Sequence, residues 1–453
     1  MKHLLFITYH FPPELATGAT RPTKFCRFLP EFGWVPTVLS VDTRQYAATD
    51  PAGPPPSVRI LRTGTRPSPR QLLLRAREAY RGVMRFEAQI GRRRLPMEQV
   101  HQTKVAPEEH GWPGRLRREA LALLTVLDDE VGWTPPAFRA ASRLVKDERF
   151  DAILTSGPPH STHFVGLLLK RRFKIPWVAD LRDPWSLQGT DFGGTTKQSK
   201  AIERRLETLV VRYADIVLTT APRLTQAMRR LYPDVPVERF RTITNGFDSA
   251  DFAVHGDDLQ FPAHFAIAHL GNLFFRLSPR PVLLALSRLV EQQRLPRDSV
   301  RLTFFGDSDD QLNPTAMAAD AGLGDMVSAH RRIPSAQANR TMLQSDLLLL
   351  FCQDLPLTIP SKVFDYLASG AEILALAPDG ALADLLASVR RGTVVPPDDT
   401  DAIAAALERS WQGYQRGETR NRARPATSDP AIAVFERREL TRLLAGHLDQ
   451  ICC

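Results

Sequence analysis

Residues 4–41 decide the fold class, and they read LLFITYHFPPELATGATRPTKFCRFLPEFGWVPTVLSV. The pattern predicts a buried strand over residues 4–8, a helix over 21–33 and a second strand over 37–41. Two strands joined by one helix through short connections favour a parallel sheet that is covered by helices. The opening stretch therefore predicts an α/β protein.

The same alternation of strands and helices continues along the chain. Further strands are predicted at 151–155, 177–180, 215–218 and 241–244, separated by helices at 161–173, 200–214 and 225–232. A second series of buried strands is predicted at 266–270, 302–305, 347–351 and 373–376. Because a turn at 245–248 and an irregular stretch to residue 262 separate the two series, we predict two Rossmann-like domains, 1–248 and 249–430.

Composition excludes several classes of protein. The chain has 453 residues, of which 43% are hydrophobic and 24% are charged, as in globular proteins. Its four cysteines are too few and too badly spaced for a disulfide scaffold or a zinc site, so no bound metal is expected. No apolar run approaches the ~20 residues of a membrane-spanning helix, and the expected compartment is the cytoplasm.

The positive charge of the chain is concentrated in one segment. The formal net charge is +9, and residues 66–118 contain 13 Lys or Arg against five Glu. Apolar side chains and arginines are interleaved over 72–86, which predicts a basic amphipathic helix of the kind that lies on anionic lipid. A solvated helical face is the alternative. A nucleic-acid partner is disfavoured because no binding signature accompanies the charge.

Candidate site residues follow the predicted strands, because ligands bind at the carboxyl ends of parallel strands. Gly18 precedes a helix and permits close approach of a ligand, and His160 follows the strand at 151–155. Residues 180–185 form a polar cluster that contains Arg182 and Asp183, for which an ion pair stabilising a turn is the alternative role.

In the second half, two predicted strands run directly into Gly271 and Gly306. Glycine at these points lets the backbone approach a bulky ligand such as a nucleotide diphosphate. Arg276 and Arg280 follow closely and are candidates for holding phosphate oxygens, with solvated surface charge as the alternative.

Residues 359–370, IPSKVFDYLASG, are the most informative stretch. Pro360 and Ser361 are suited to opening a helix, and Lys362 and Asp365 then share one face of it. A lysine at a helix N-terminus can stabilise phosphate together with the helix dipole, while Asp365 can accept hydrogen bonds from hydroxyl groups. A simple Lys–Asp surface pair is the alternative.

Seven motifs in order along the chain resemble the retaining glycosyltransferases of family 4. They lie at residues 9–21, 156–161, 180–185, 214–215, 244–248, 270–272 and 360–370. The resemblance implies the GT-B fold, in which two Rossmann-like domains with parallel sheets face each other across a cleft. It also implies that the first domain binds the acceptor, that the second binds the nucleotide sugar, and that a final helix at 431–453 returns to the first domain.

The resemblance assigns roles residue by residue. The implied donor-binding residues are Gly18, Gly271, Arg276 or Arg280, Gly306, Ile333, Pro334, Lys362 and Asp365. The implied catalytic residues, which contact the transferred sugar or the acceptor, are His160, Arg182, Asp183 and Asp365. No metal or other cofactor is implied, since a nucleotide diphosphate sugar is the co-substrate.

The sequence departs from the family pattern at one acidic position. Leu357 stands eight residues before Asp365, where the family carries the first carboxylate of its motif, and Asp354 is a candidate substitute. The departure leaves the identity of the sugar open.

The resulting prediction is a glycosyltransferase that acts on a lipid-linked or polysaccharide acceptor in cell-surface glycan synthesis, peripheral on the inner face of the cell membrane. A nucleotide-sugar epimerase of the same fold and a degenerate sugar-nucleotide-binding regulatory subunit are the alternatives.

Overall fold

The computed structural model describes residues 1–14, 16–46, 53–73, 75, 128–187, 197–253, 259–273, 277–420 and 424–452. By spatial contact the chain divides into two compact units. The N-terminal unit comprises Met1–Leu218, Tyr232–Arg241 and Ala445–Cys453, and the C-terminal unit comprises Thr219–Leu231 and Thr242–Leu444. The units interleave segments of chain, whereas the predicted domains are continuous stretches.

The first sheet has seven strands. They are β1 (Lys2–Thr8), β2 (Trp34–Val41), β3 (Arg59–Thr63), β4 (Ala152–Gly157), β5 (Trp177–Leu181), β6 (Ile216–Thr219) and β7 (Phe240–Thr242). Their order is β3-β2-β1-β4-β5-β6-β7, and the pairs from β3 to β5 are parallel. Leu4, Leu5, Phe6 and Ile7 of β1 are completely buried, as expected for a central strand covered on both faces.

The chain reverses its path across this sheet at β1, which pairs with β2 on one side and with β4 on the other. The loops after β1 and β4 therefore leave the sheet at its topological switch point, where α/β sheets bind ligands. The helices that follow the strands are α1 (Thr17–Phe28), α2 (Thr134–Asp147), α3 (Thr162–Phe173), α4 (Lys197–Tyr213) and α5 (Pro222–Leu231).

The second sheet has six parallel strands. They are β8 (Phe265–Leu270), β9 (Val300–Phe305), β10 (Val327–His330), β11 (Leu347–Phe351), β12 (Glu372–Leu376) and β13 (Thr393–Val395). Their order is β10-β9-β8-β11-β12-β13, so β8 lies at the switch point of this sheet. Every residue of β11 is buried, which agrees with its unbroken apolar sequence.

Eight helices complete the described part of the C-terminal half. They are α6 (Arg280–Glu291), α7 (Pro314–Asp320), α8 (Ser335–Gln344), α9 (Lys362–Ser369), α10 (Ala381–Ser388), α11 (Thr400–Gln415), α12 (Pro430–Ala433) and α13 (Arg437–Ile451). Residues at the end of α13 belong to the N-terminal unit, where Asp449 accepts hydrogen bonds from Lys2 Nζ at 2.8 Å and from Trp34 Nε1 at 3.2 Å.

The predicted α/β class with two parallel sheets is confirmed, but several elements differ from the sequence prediction. Helix α1 starts at Thr17 and ends at Phe28, because a 3-10 turn over Leu29–Phe32 closes on Gly33, whose φ is 82°. Strand β3 was not predicted, since this edge strand has only two apolar residues between two arginines and so lacks a long apolar run. The predicted amphipathic helix over 72–86 lies, apart from residues 72, 73 and 75, outside the described residues.

Candidate functional site

Two glycines at the carboxyl ends of β8 and β9 allow these strand ends to approach each other closely. Gly271 has φ 152° and Gly306 has φ 146°, a region that favours glycine. A Cβ on Gly306 would lie 2.4 Å from the carbonyl oxygen of Gly271, and a Cβ on Gly271 would lie 1.9 Å from Nζ of Lys362. The two predicted glycines and the predicted lysine are therefore brought together.

Lys362 is the first residue of α9, so its ammonium group lies beside a helix N-terminus. Both the ammonium charge and the positive end of the helix dipole favour an anion. Burial lowers the pKa of the Lys362 ammonium from 10.5 to about 8, and the nearby Cys352 thiol opposes this shift. Burial in turn raises the pKa of the Cys352 thiol to about 12, so the group beside the lysine is neutral.

Helix α9 is tied to β8 through Tyr366. The hydroxyl of Tyr366 accepts a hydrogen bond from the Leu270 N–H at 3.0 Å and donates to the Leu349 carbonyl at 3.4 Å. Since Leu270 precedes Gly271, these bonds fix the helix carrying Lys362 against the strand end that the lysine covers.

The remaining described donor candidates of the C-terminal unit lie at or near the starts of helices. Arg280 is exposed at the start of α6, Ile333 is half-buried, and Pro334 is exposed at the start of α8. Asp365 is half-buried on the first turn of α9. Arg276 lies outside the described residues.

The polar cluster of the N-terminal unit is organised around a buried ion pair. Arg21 of α1 donates from Nε and Nη2 to the two carboxylate oxygens of Asp180, at 3.0 and 2.9 Å, and both side chains are almost completely buried. Ser156 donates to the same carboxylate at 2.8 Å. The pair therefore joins α1 to the ends of β4 and β5.

Arg182 also acts within the fold. Its guanidinium donates to the carbonyls of Gly157 at 3.0 Å, Gly18 at 2.5 Å and Pro158 at 2.5 Å, which joins the loops that follow β1 and β4. A Cβ on Gly18 would lie 3.3 Å from Arg182 Nη2. Glycine at position 18 thus lets this guanidinium reach the backbone.

His160 lies beside these loops and stacks on Trp185, with ring centroids 4.7 Å apart and an interplanar angle of 4°. Burial, with further contributions from His163 and Arg182, holds the pKa of His160 well below its usual range, so the imidazole is neutral. Its Nδ1 is buried and makes no hydrogen bond to the described residues. Burial raises the pKa of Asp183, opposed by Arg182.

The two halves match families of known function. Residues 98–246 match the family described as glycosyl transferase 4-like domain, and residues 263–428 match glycosyl transferases group 1. The chain is a GT-B glycosyltransferase. This pairing confirms the predicted resemblance to a GT4-type enzyme and the prediction that the protein is an enzyme.

Solved structures show the same fold at low sequence identity. Sucrose-phosphate synthase from Thermosynechococcus elongatus is 17% identical, with 99% of this chain and 98% of that chain covered and a TM-score of 0.64. HepE of Anabaena, in complex with UDP, is 15% identical with 99% and 100% covered and a TM-score of 0.59. A Listeria monocytogenes protein described as a UDP-N-acetylglucosamine 2-epimerase is 10% identical, with 99% and 98% covered and a TM-score of 0.53. No curated protein sequence matches this enzyme significantly.

Sequence reasoning missed Asp128 in this glycosyltransferase. Asp128 accepts a hydrogen bond from the Ser161 N–H at 2.8 Å, at the start of α3, and burial raises the pKa of its carboxyl. The three consecutive acidic residues at 128–130 could have pointed to Asp128, but they do not follow a predicted strand, and only residues after strands were considered.

Two kinds of feature are absent from the described residues. No helix among them is both long and apolar enough to cross a bilayer. They also bring together no group of three or more His, Cys, Asp or Glu side chains suited to a metal ion.

Proposed function

We propose that the enzyme is a retaining glycosyltransferase that moves a sugar from a nucleoside diphosphate donor to a hydroxyl of a lipid-linked or polysaccharide acceptor in cell-surface glycan synthesis. The observation that carries the donor assignment is the Lys362 ammonium, which lies over Gly271 at the N-terminus of α9. A cation at the positive end of a helix dipole is suited to a diphosphate.

The proposed reaction breaks the bond between the anomeric carbon and the donor phosphate oxygen and forms a bond from that carbon to the acceptor oxygen on the same face. The acceptor proton passes to the leaving diphosphate. Negative charge develops on the diphosphate, so a fixed cation aimed at it stabilises the transition state more than the ground state. Lys362 is proposed to supply that charge, and the reaction is proposed to need no metal cofactor.

A neutral His160 is proposed to contact the sugar through a hydrogen bond rather than through charge. Its stacking on Trp185 holds the ring in one orientation, and the unpartnered Nδ1 remains available to a hydroxyl. Arg182 already binds three carbonyls and is proposed to position the loop that bears His160. Asp183 is half-buried and is proposed as a candidate for contact with the acceptor.

Asp365 and the surroundings of Leu357 are proposed to decide which sugar is accepted. Asp365 follows Lys362 by three residues on α9, so both belong to the same helix face. Leu357 is half-buried and offers no hydrogen bond to a hydroxyl, whereas Asp354 is exposed close by in the sequence. We propose that the enzyme selects a donor sugar that makes fewer polar contacts with the residues around Leu357.

The basic stretch at 66–118 supports an anionic membrane surface as the second partner. Its 13 Lys or Arg against five Glu would draw the acceptor half toward acidic lipid, where a lipid-linked acceptor is found. We therefore propose that the enzyme acts at the inner face of the cell membrane and has no nucleic-acid partner.

A second candidate function is a regulatory subunit that binds a sugar nucleotide without transferring the sugar. Leu357 favours it, because an acidic side chain at this position is part of the motif implied by the family resemblance. An epimerase is the third candidate function, since the Listeria monocytogenes protein described as an epimerase has the same fold.

Incubation with UDP-, GDP- and dTDP-sugars, with release of free sugar and nucleoside diphosphate as the readout, tests the proposal. Slow donor hydrolysis is expected from wild type, and Lys362→Ala is expected to lower the rate by roughly 10²–10³-fold, as for other groups that stabilise developing charge. Lys146→Ala, which removes an exposed lysine of α2, is the matched control and is expected to retain the wild-type rate. Binding without hydrolysis would support the regulatory subunit, and conversion of a nucleotide sugar to its epimer would support the epimerase.

A further inference from the structure

His269 is a buried histidine next to the donor site that neither the sequence motifs nor the proposed reaction uses. It lies on β8, two residues before Gly271, and is completely buried. Its ring packs between Phe351, at a centroid distance of 4.8 Å, and Phe304, at 6.0 Å. Strands β9 and β11 therefore hold the imidazole in one orientation.

The hydrogen bonding of His269 defines which nitrogen carries the proton. Nδ1 lies 2.9 Å from the carbonyl oxygen of Leu349, which can only accept, so Nδ1 is the donor. Burial, with Lys362 as the next contribution, lowers the pKa of His269 to about 3 against the opposing effect of the backbone at Leu349 and Gly271, so the ring stays neutral. Nε2 is then an acceptor, and it is buried with no hydrogen-bond partner among the described residues.

The unpartnered Nε2 and the Lys362 ammonium border the same point. A Cβ placed on Gly271 would lie 1.9 Å from Lys362 Nζ and 3.5 Å from His269 Nε2. The two nitrogens are not hydrogen-bonded in the structure, but the ammonium has three N–H donors on a flexible stem. Rotation about the bonds of that stem can direct one N–H at Nε2.

Resting on the proposed function, we propose that His269 is the positioning residue for Lys362: neutral Nε2 accepts one N–H of the ammonium when the donor diphosphate is bound, and the other two N–H groups bind phosphate oxygens. A neutral acceptor suits this task. A carboxylate at the same place would pair with the ammonium and compete with the phosphate, and an apolar side chain would leave the ammonium without an anchor. Cys352, the other titratable group next to Lys362, is a neutral thiol and leaves the charge equally intact.

Titration calorimetry with whichever of UDP, GDP and dTDP binds wild type most tightly tests this role. His269→Leu is expected to weaken binding roughly tenfold, the effect of losing one hydrogen bond to a charged group. His269→Gln, which places a neutral oxygen near the position of Nε2, is expected to remain within about threefold of wild type. His269→Met replaces the leucine variant if that variant does not fold.

A double-mutant cycle separates positioning from a merely structural role. If His269 acts through Lys362, then His269→Leu has no further effect on affinity in the Lys362→Ala background, whereas a structural effect adds to it. His163→Phe is the matched control, because His163 is equally buried and also has an unpartnered Nε2, but lies in the N-terminal unit. It is expected to leave the affinity unchanged.

The outcomes distinguish the two proposals. Equal nucleotide affinity in wild type and Lys362→Ala would overturn the donor role of Lys362, and with it the proposed function of this site. A large loss in Lys362→Ala, together with wild-type affinity in His269→Leu or additive effects in the cycle, would overturn only the role of His269.

Discussion

The two units place buried cations at the ends of their parallel strands but surround them differently. In the N-terminal unit Arg21 is bound to both oxygens of Asp180, and Arg182 donates to three backbone carbonyls. In the C-terminal unit the Lys362 ammonium is faced by two neutral groups, the His269 ring and the Cys352 thiol. A buried cation with an internal partner stabilises the fold, whereas one faced by neutral groups keeps its charge for a ligand.

The choice of side chain follows the same division. Arginine forms several hydrogen bonds in fixed directions, which suits the joining of two loops or of a helix to a strand end. Lysine is a single charge on a flexible stem, its pKa shifts readily on burial, and it can follow a phosphate. The comparison predicts that changes in the N-terminal cluster alter stability first, while changes around Lys362 alter ligand affinity first.

The largest expected effect is on stability, from Asp180→Ala. Removing one partner of a buried, bidentate ion pair leaves the Arg21 guanidinium buried without its counter-charge, which costs about 3–5 kcal/mol. Urea denaturation followed by circular dichroism measures the loss. The affinity for nucleoside diphosphate, measured where the variant is folded, is expected to be unchanged.

The matched control for this prediction is Asp42→Ala. Asp42 also binds an arginine through both oxygens, with Arg44 Nε at 3.0 Å and Nη2 at 2.8 Å, but the Arg44 side chain is 82% exposed. Little change in stability is expected from this exposed pair. Similar losses in both variants would contradict the assignment of Arg21–Asp180 as a structural brace.

The next expected effect is on affinity, from Gly271→Ala. The new methyl group would occupy the place of Lys362 Nζ, and φ 152° is unfavourable for alanine, so we expect roughly 100-fold weaker nucleotide binding. Because the displaced atom is the end of a flexible side chain, the fold should persist. Calorimetry and circular dichroism measure the two quantities.

Gly446→Ala provides the control, since no atom lies within 4 Å of a Cβ at this position of α13. It is expected to leave affinity unchanged and to raise helix stability slightly. Wild-type affinity in Gly271→Ala would mean that Lys362 does not work from the position over Gly271.

The smallest expected effect is the dependence of affinity on pH. Because the pKa of Lys362 is lowered to about 8, the ammonium loses its proton as pH rises through that value. Nucleotide binds the protonated form, so affinity should be nearly constant from pH 7 to about 8 and then fall, by up to about tenfold at pH 9. Calorimetry between pH 7 and 10 gives the profile.

Lys362→Arg serves as the reference for that profile, since a guanidinium keeps its charge throughout this range. It is expected to bind nucleotide more weakly than wild type but without a break near pH 8. A wild-type affinity that stays constant to pH 10 would show that Lys362 is not the cation that binds phosphate.

The sequence predicted the arrangement around Lys362 more completely than the cluster around Arg182. Lys362, Gly271 and Gly306 were each found from local signals, a helix start and two strand ends, and the structure brings them together. Arg182 was also found, but its three carbonyl partners lie on loops that are distant in sequence, so its use within the fold was not apparent. His269 was seen only as part of an apolar strand.

The sequence by itself determined the two parallel sheets, because unbroken apolar runs report burial on both faces and helical stretches between them force parallel connections. It also determined that Lys362 begins a helix, since Pro360 and Ser361 are local signals. Which cations are paired with a carboxylate depends on the tertiary structure. Arg21 and Asp180 are 159 positions apart in the sequence, and the fold brings them into contact. The packing of α9 against β8 brings Lys362 close to His269. No periodicity in the local sequence predicts either contact. The charge state of a site depends on contacts through space, and therefore on the completed fold.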